Sequence, residues 1–331
     1  MMNTVFLDAG TLSPIQLRSD QSEQLSPKHF DIDISRLAHC CESLILFNQT
    51  DSKQRLDRCR NAQHIITNKV VINAELMDQL PQLELICVAA TGYNNIDILA
   101  AKERNISVCN VAGYSTQSVV QICFQLLLQL NNHYGAVQTM LIEKGWQNHP
   151  EFVMLPKGFS QLEGKTMTII GHGTIGKAVS KVAQAFGLKI VLAQLPERDL
   201  KDGYTPLEQA LSISDFVSLH CPLTDETSKL VNQAFIDKLK PGALLINTAR
   251  GGLLDEDAVA EALHNGTLAG LGCDVLSTEP PSHDNPLLSA PNVVITPHIG
   301  WASIEARQTL VNELAKNIDG FIHSKPRNII V

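Results

Sequence analysis

Short apolar runs alternate along this chain with stretches in which apolar positions recur every three to four residues, from one end to the other. The first pattern is that of a strand buried on both faces, the second that of a helix with one buried stripe. Their succession predicts parallel α/β layers. In the first third the predicted strands are Val5–Leu7, Ser43–Phe47, His64–Thr67, Leu85–Ala89 and Ser107–Asn110, separated by helical stretches such as Ala74–Gln79 and Ile96–Arg104. A second set comprises Thr166–Ile170, Lys189–Ala193, Phe216–Leu219, Ala243–Asn247, Ala269–Cys273 and Val293–Thr296. Amphipathic helices are expected at Ile175–Phe186, Asn232–Leu239 and Asp255–His264; Gly242 and Gly266 fall where helices commonly end on glycine. The long apolar helix Ser115–Asn131 is expected to connect the two sets rigidly. Residues from about Tyr134 to Ser160 read as irregular, and Ser303–Phe321 reads as a long amphipathic helix.

Bulk properties narrow the class. The 331 residues leave room for about two domains with their own cores. Hydrophobic residues make up 44% and charged residues 18%, as in ordinary globular chains. The most apolar run, Val119–Leu130, is interrupted by Gln121, Gln125 and Gln129 and falls short of the ~18 residues of a membrane span. The first residues lack a basic stretch followed by a long apolar core, so a cytoplasmic location is expected. None of the eight cysteines forms a CxxC pair, which favours buried reduced thiols over a disulfide framework or a zinc site; no metal is expected. A net charge of −8 argues against nucleic acid as a partner. The densest basic run, Lys53–Arg60, is expected to be the solvated face of a helix.

The most informative segment is Lys165-Thr-Met-Thr-Ile-Ile-Gly-His-Gly-Thr-Ile-Gly-Lys, which reads as strand, glycine turn and helix in succession. Gly171, Gly173 and Gly176 form GxGxxG, a weak signal alone but one that sits here where a dinucleotide site needs it. The first glycine allows a tight turn, the second a close approach of pyrophosphate, and the third helix–strand packing. The N–H groups of Thr174 and Ile175 at the helix start face the anion.

Three further blocks follow in order: Asn247-Thr-Ala-Arg-Gly-Gly-Leu-Leu-Asp-Glu, Asp274-Val-Leu-Ser-Thr-Glu-Pro and Pro297-His-Ile-Gly-Trp-Ala-Ser. Together they resemble the D-isomer-specific 2-hydroxyacid dehydrogenases. Ala89-Ala-Thr-Gly-Tyr-Asn-Asn-Ile-Asp and Asn110-Val-Ala-Gly-Tyr-Ser-Thr-Gln-Ser-Val are similar to the glycerate dehydrogenase/hydroxypyruvate reductase branch. The resemblance covers nearly the whole chain and is weakest before Ser43. It implies an α/β fold in which a Rossmann-type coenzyme domain, 111–301, is inserted in a flavodoxin-like substrate domain, 1–110 with 302–331. It also implies a homodimer formed largely through the coenzyme domains, with no membrane partner.

Reducing a 2-keto acid requires a carboxylate clamp, a proton donor beside the ketone oxygen, and a hydride. Arg250 matches the family's clamp: a guanidinium offers a charged planar fork, and this one follows a predicted strand at the edge where open α/β sheets bind ligands. His298 matches the general acid/base, because imidazole exchanges a proton near neutrality and Pro297 sets it at a strand end. Glu279 matches the carboxylate that orients the imidazole and favours its protonated form. Read singly, each residue has a plain structural explanation: a surface arginine, a strand-end histidine, a loop acid. The turn at Ala90, Thr91 and Gly92 matches a second set of donors to the substrate carboxylate.

For the cofactor, the resemblance implies contacts from Cys221, Pro222, Thr248, Ala249, His298 and Gly300, and from Asp274 to the nicotinamide amide. The structural alternative for Asp274 is a strand-end acid bonded to nearby backbone N–H groups. One departure matters. Gln194 stands eighteen positions beyond Gly176, where an acid normally holds the adenine ribose. Glutamine does not repel a 2′-phosphate, and Arg198 follows it closely. The sequence favours NAD(H) and leaves NADP(H) open. The expected activity is NAD(P)H-dependent reduction of hydroxypyruvate to D-glycerate and of glyoxylate to glycolate. A dehydrogenase for another D-2-hydroxy acid is the alternative within the class; a dinucleotide-sensing protein like the corepressors of this fold is the alternative outside it.

Overall fold

The computed structural model describes residues 3–14, 23–155, 157–195 and 201–331. The chain divides into two units, Met1–Ser115 with Ala302–Val331, and Thr116–Trp301. Among the described residues eleven strands form two sheets, one in each unit.

In the first unit the strands are β1 (Asn3–Phe6), β2 (Ser43–Leu46), β3 (His64–Thr67), β4 (Leu85–Val88) and β5 (Ser107–Cys109). All pair in parallel in the order β2-β1-β3-β4-β5, the flavodoxin-like arrangement. Every residue of β3 and β4 is buried, which is why these strands read as continuous apolar runs rather than alternating ones. The C-terminal segment completes the sheet: Val108 N–H donates to Val331 O and Ile330 N–H to Val108 O. The helix Ile304–Ile322 is tied to the N-terminal region by Arg307, whose two guanidinium nitrogens meet the two oxygens of Asp31 at 2.5 and 2.9 Å. The basic run departs from expectation. Within it Arg55–Cys59 is helical, but Arg58 is not solvated: its side chain is 8% exposed and its guanidinium lies 4.1 Å above the Phe47 ring. A flat cation stacks on an aromatic face where a hydrated one would stay outside.

The second unit holds β6 (Thr166–Ile170), β7 (Lys189–Ala193), β8 (Phe216–Leu219), β9 (Leu244–Asn247), β10 (Gly270–Cys273) and β11 (Val293–Ile295). They too are all parallel, ordered β11-β10-β9-β8-β6-β7. Beyond β7 the chain returns for one further parallel bridge, Ala193 to Thr205, a residual outer strand that completes the Rossmann order. Strand order reverses at β6, so the carboxyl ends of β6 and β8 bound the crevice where such sheets take ligands. Successive strand residues feed opposite cores. Val217 and Leu219 pack on one face with Leu245 and Leu271, while Phe216 and Ile246 pack on the other with Leu126, Leu127 and Val179.

The helix Thr116–Asn131 is therefore a core element of this unit, with Leu126 and Leu127 fully buried, and not merely a connector. The stretch expected to be irregular contains a helix, Tyr134–Lys144, followed by a 3-10 turn at Trp146–Asn148. None of that helix's residues is buried; it lacks the buried stripe on which a sequence reading of helices depends. No helix among the described residues is long and apolar enough to cross a membrane. Of the eight cysteines, all free, seven are buried and Cys40 is half-buried.

Candidate active site

The three residues expected to act on substrate emerge at the carboxyl ends of three neighbouring strands, β9, β10 and β11. β9 ends on Asn247, fully buried, whose side chain accepts from Ala249 N–H at 3.0 Å and donates to Arg250 O at 2.9 Å. That clamp turns the chain sharply and leaves Arg250 exposed at the head of the 3-10 turn Gly251–Leu253. Its Nη1 donates to Ala249 O at 2.7 Å, and among the described residues the guanidinium pairs with no carboxylate.

The loop after β10 carries Glu279. Its Oε1 accepts from Leu276 N–H at 3.0 Å, and its Oε2 lies 2.5 Å from Nδ1 of His298. The loop after β11 carries His298 in the left-handed region at φ +53°, a conformation that costs a non-glycine residue about 1 kcal/mol. Its N–H is held by Asp274 O at 2.8 Å. Asp274 organises this turn. Its Oδ1 accepts from Thr296 Oγ1 at 2.5 Å and Ile299 N–H at 2.9 Å, and its Oδ2 from Gly300 N–H at 2.7 Å. Burial pushes the Asp274 carboxyl up, and these hydrogen bonds oppose the rise. A Cβ on Gly300 would stand 2.7 Å from Asp274 Oδ2, so that position closes on the carboxylate. The carboxylate expected to meet the nicotinamide amide thus also shapes the His298 turn.

An ionised carboxylate only accepts, so Nδ1 of His298 carries a hydrogen toward Glu279 and Nε2 is the ring atom left for chemistry. Both side chains remain about one-third exposed. The arrangement leaves Nε2 open for proton transfer and, further along the same sheet edge, a guanidinium fork for a carboxylate.

The glycine loop follows β6. Gly171 takes φ +95°, and a Cβ there would meet Cys221 N at 2.4 Å, so the turn after β6 lies flush on the Cys221–Pro222 turn after β8. Gly176 is closed against Gly171 O in the same way. Gly173 is different: a Cβ on it would meet nothing within 4 Å. It caps the helix Thr174–Ala185, whose first-turn N–H groups, including those of Thr174 and Ile175, lack partners within the helix. An open, side-chain-free cradle at a helix N-terminus suits a pyrophosphate. At the end of β9 the Thr248 hydroxyl is buried with no hydrogen-bond partner, beside Ala249, as expected where a bound group completes the site. These features fit a dinucleotide.

Gln194 has its amide oxygen engaged by its own loop. It is 8% exposed, and its Oε1 accepts from Lys201 N–H at 3.3 Å. Arg198 lies outside the described residues. His220, which sequence reasoning passed over, sits between β8 and Cys221; burial pushes its pKa down to about 4, and its Nε2 meets Ser218 Oγ at 2.8 Å.

The turn at Ala90, Thr91 and Gly92 belongs to the first unit, beyond β4. Thr91 Oγ1 donates to Val111 O at 3.1 Å, Asn110 Nδ2 to Thr91 O at 2.7 Å, and Asn68 Nδ2 to Ala89 O at 2.9 Å. Asp8, also missed, anchors this support. Its buried carboxylate takes the N–H groups of Asn68 and Lys69 at 2.8 and 2.6 Å. An acid at the end of an apolar strand is the signal that could have found it.

The chain was compared with known proteins. The family model described as D-isomer specific 2-hydroxyacid dehydrogenase, NAD binding domain, matches residues 124–300. A hydroxypyruvate reductase of Blautia hydrogenotrophica is 38% identical over 285 residues, covering 85% of this chain and 88% of that protein. A glycerate dehydrogenase of Methylorubrum extorquens is 37% identical over 277 residues, covering 83% and 87%. Among solved structures, the TT0316 protein from Thermus thermophilus superposes with a TM-score of 0.81 at 30% identity, with all of both chains covered.

Proposed function

Because this chain belongs to the D-isomer-specific 2-hydroxyacid dehydrogenases, nicotinamide-dependent oxidoreductases, we propose that it reduces hydroxypyruvate to D-glycerate, and glyoxylate to glycolate. The names of its relatives support the substrate class: hydroxypyruvate reductase, glycerate dehydrogenase and glyoxylate reductase. The observation that carries the proposal is the His298–Glu279 pair, 2.5 Å apart, on the same sheet edge as Arg250, which meets no carboxylate among the described residues.

The dinucleotide, when bound, supplies the hydride. Its pyrophosphate is assigned to the N–H groups at Gly173, Thr174 and Ile175, and the orphaned Thr248 hydroxyl is assigned a contact along the same bound group. Arg250 takes the substrate carboxylate with a forked, charge-assisted contact that fixes the keto carbon's orientation. His298 gives a proton from Nε2 to the ketone oxygen as charge develops there, and Glu279 keeps the ring oriented through Nδ1. In the reverse direction the same nitrogen accepts the hydroxyl proton.

A homodimer accompanies this reading. The helix Tyr134–Lys144 buries none of its residues, Phe152 is 89% exposed and Ile142 84%, and Trp146, Leu155 and Phe159 are exposed nearby. An apolar surface of this kind is suited to a second copy of the chain.

A steady-state screen of small 2-keto acids with NADH and NADPH tests the activity. Hydroxypyruvate should be turned over with the highest kcat/KM, and glyoxylate should follow. Absence of turnover with both would remove the substrate assignment.

A further inference from the structure

Along the flank of β7 lies a groove of about 530 Å³, bounded on one side by the helix Thr174–Ala185 and on the other by Gly203 and Thr205 of the residual outer strand. Lys177 and Lys181, one turn apart on the same helix face, line it. His172, between the first two glycines of the loop, closes its end at the carboxyl edge of the sheet. No aspartate or glutamate is among its described lining residues. Burial and the charge of Lys177 both hold the His172 imidazole toward its neutral form, which marks the lysine as close to the ring.

This groove adjoins the place where a Rossmann sheet holds the adenine ribose, the end of its second strand. An acid there ordinarily accepts from the ribose 2′-hydroxyl and repels a phosphate in its place. Here that strand is β7, and the residue is Gln194: uncharged, buried, and with its Oε1 already committed to Lys201 N–H at 3.3 Å. Three observations thus coincide. The acid that would repel a 2′-phosphate is absent, the Oε1 of the side chain in its place accepts from its own loop, and the adjoining groove carries two ammonium groups and an imidazole with no carboxylate among its described lining residues.

We propose that this groove receives the 2′-phosphate of NADP(H), held by Lys177, Lys181 and His172, and that the chain takes the phosphorylated dinucleotide in preference to NAD(H). The sequence alone favoured NAD(H) and left NADP(H) open, since Gln194 does not repel a 2′-phosphate; the groove adds an attraction. Two flexible ammonium groups act as point charges on a dianion, and because they are solvent-facing, their attraction weakens with salt. The inference rests on the reading of this unit as a dinucleotide site, though not on the identity of the keto acid.

The test is calorimetric binding of adenosine 2′,5′-bisphosphate and of 5′-AMP to the full chain, which reads the subsite without any turnover. The wild-type chain should bind the bisphosphate at least about tenfold more tightly than AMP, a difference of about 1.4 kcal/mol, and the ratio should shrink as salt is raised. Lys177→Ala with Lys181→Ala should bring the ratio toward one, and Lys177→Arg should keep it. Gln194→Glu should invert it. A wild-type ratio of one or below, or a ratio untouched by the double substitution, overturns the proposal. So does inorganic phosphate that binds the groove as tightly as the bisphosphate does, since the pocket would then be a free-phosphate site. Failure of the keto-acid screen with both cofactors, alongside a high bisphosphate ratio, would instead point to the substrate assignment.

Discussion

Gly251 lies directly against the backbone of Leu276: a Cβ placed on it would stand 1.9 Å from the Leu276 carbonyl carbon and 2.3 Å from Ser277 N. The contact locks the loop that presents Arg250 onto the loop that carries Glu279, whose own carboxylate accepts from Leu276 N–H. Two of the three proposed active groups are therefore spaced by backbone packing, not by a side-chain contact between them.

Gly251→Ala should accordingly damage stability and activity together. The two loops must part to admit the methyl group, at about 1–3 kcal/mol, the range for overpacking a tight site. Urea denaturation should show that loss, and kcat should fall more than about tenfold as Arg250 moves off its position. A variant with wild-type stability and turnover would mean that the two loops slide freely past each other.

Arg250→Lys should raise KM for the keto acid by about 10- to 100-fold, the equivalent of one charge-assisted hydrogen bond of about 1.5–3 kcal/mol. Dinucleotide affinity, measured by fluorescence quenching, should stay near the wild-type value. If KM is unchanged, the carboxylate is held by other groups.

The Arg307–Asp31 pair gives the first unit a pH-dependent tie. The hydrogen-bonded guanidinium holds the Asp31 carboxyl below the usual carboxylate range. A folded-state pKa below the unfolded one means that the contribution is complete above the unfolded value and is lost as pH falls through the folded one. Stability measured from about pH 6 down to about pH 2 should thus drop more steeply for the wild-type chain than for Asp31→Asn. That variant should be less stable near neutrality by about 2 kcal/mol. Parallel curves would show that the pair adds nothing to folding.

The eleven strands were legible because each is an apolar-rich run, most of them largely buried and β2, β7 and β11 only partly so, and such runs announce themselves without knowledge of their neighbours. The helix Tyr134–Lys144 was not, since none of its residues is buried and it leaves no one-sided stripe to read. Arg58 was misplaced for a related reason: the Phe47 ring that draws it in lies on a different element. In the site, the residue types at strand ends could be read, but their coupling could not. Asp274 was assigned to a cofactor amide from its place at a strand end; that the same carboxylate accepts three hydrogen bonds from the His298 loop could not be read. Which way a strand-end carboxylate faces depends on where the next strand's loop folds back, and that is set by the sheet order.

The central claim is that the His298 imidazole, oriented by Glu279, moves the proton in the reduction. The direct measurement is turnover and dinucleotide binding of His298→Asn side by side. The claim predicts kcat for hydroxypyruvate lowered by about a hundredfold or more, the least expected from loss of a general acid, with dinucleotide Kd close to that of the wild-type chain. Substantial turnover by the variant would contradict it, as would a collapse of dinucleotide affinity that accounts for the lost rate.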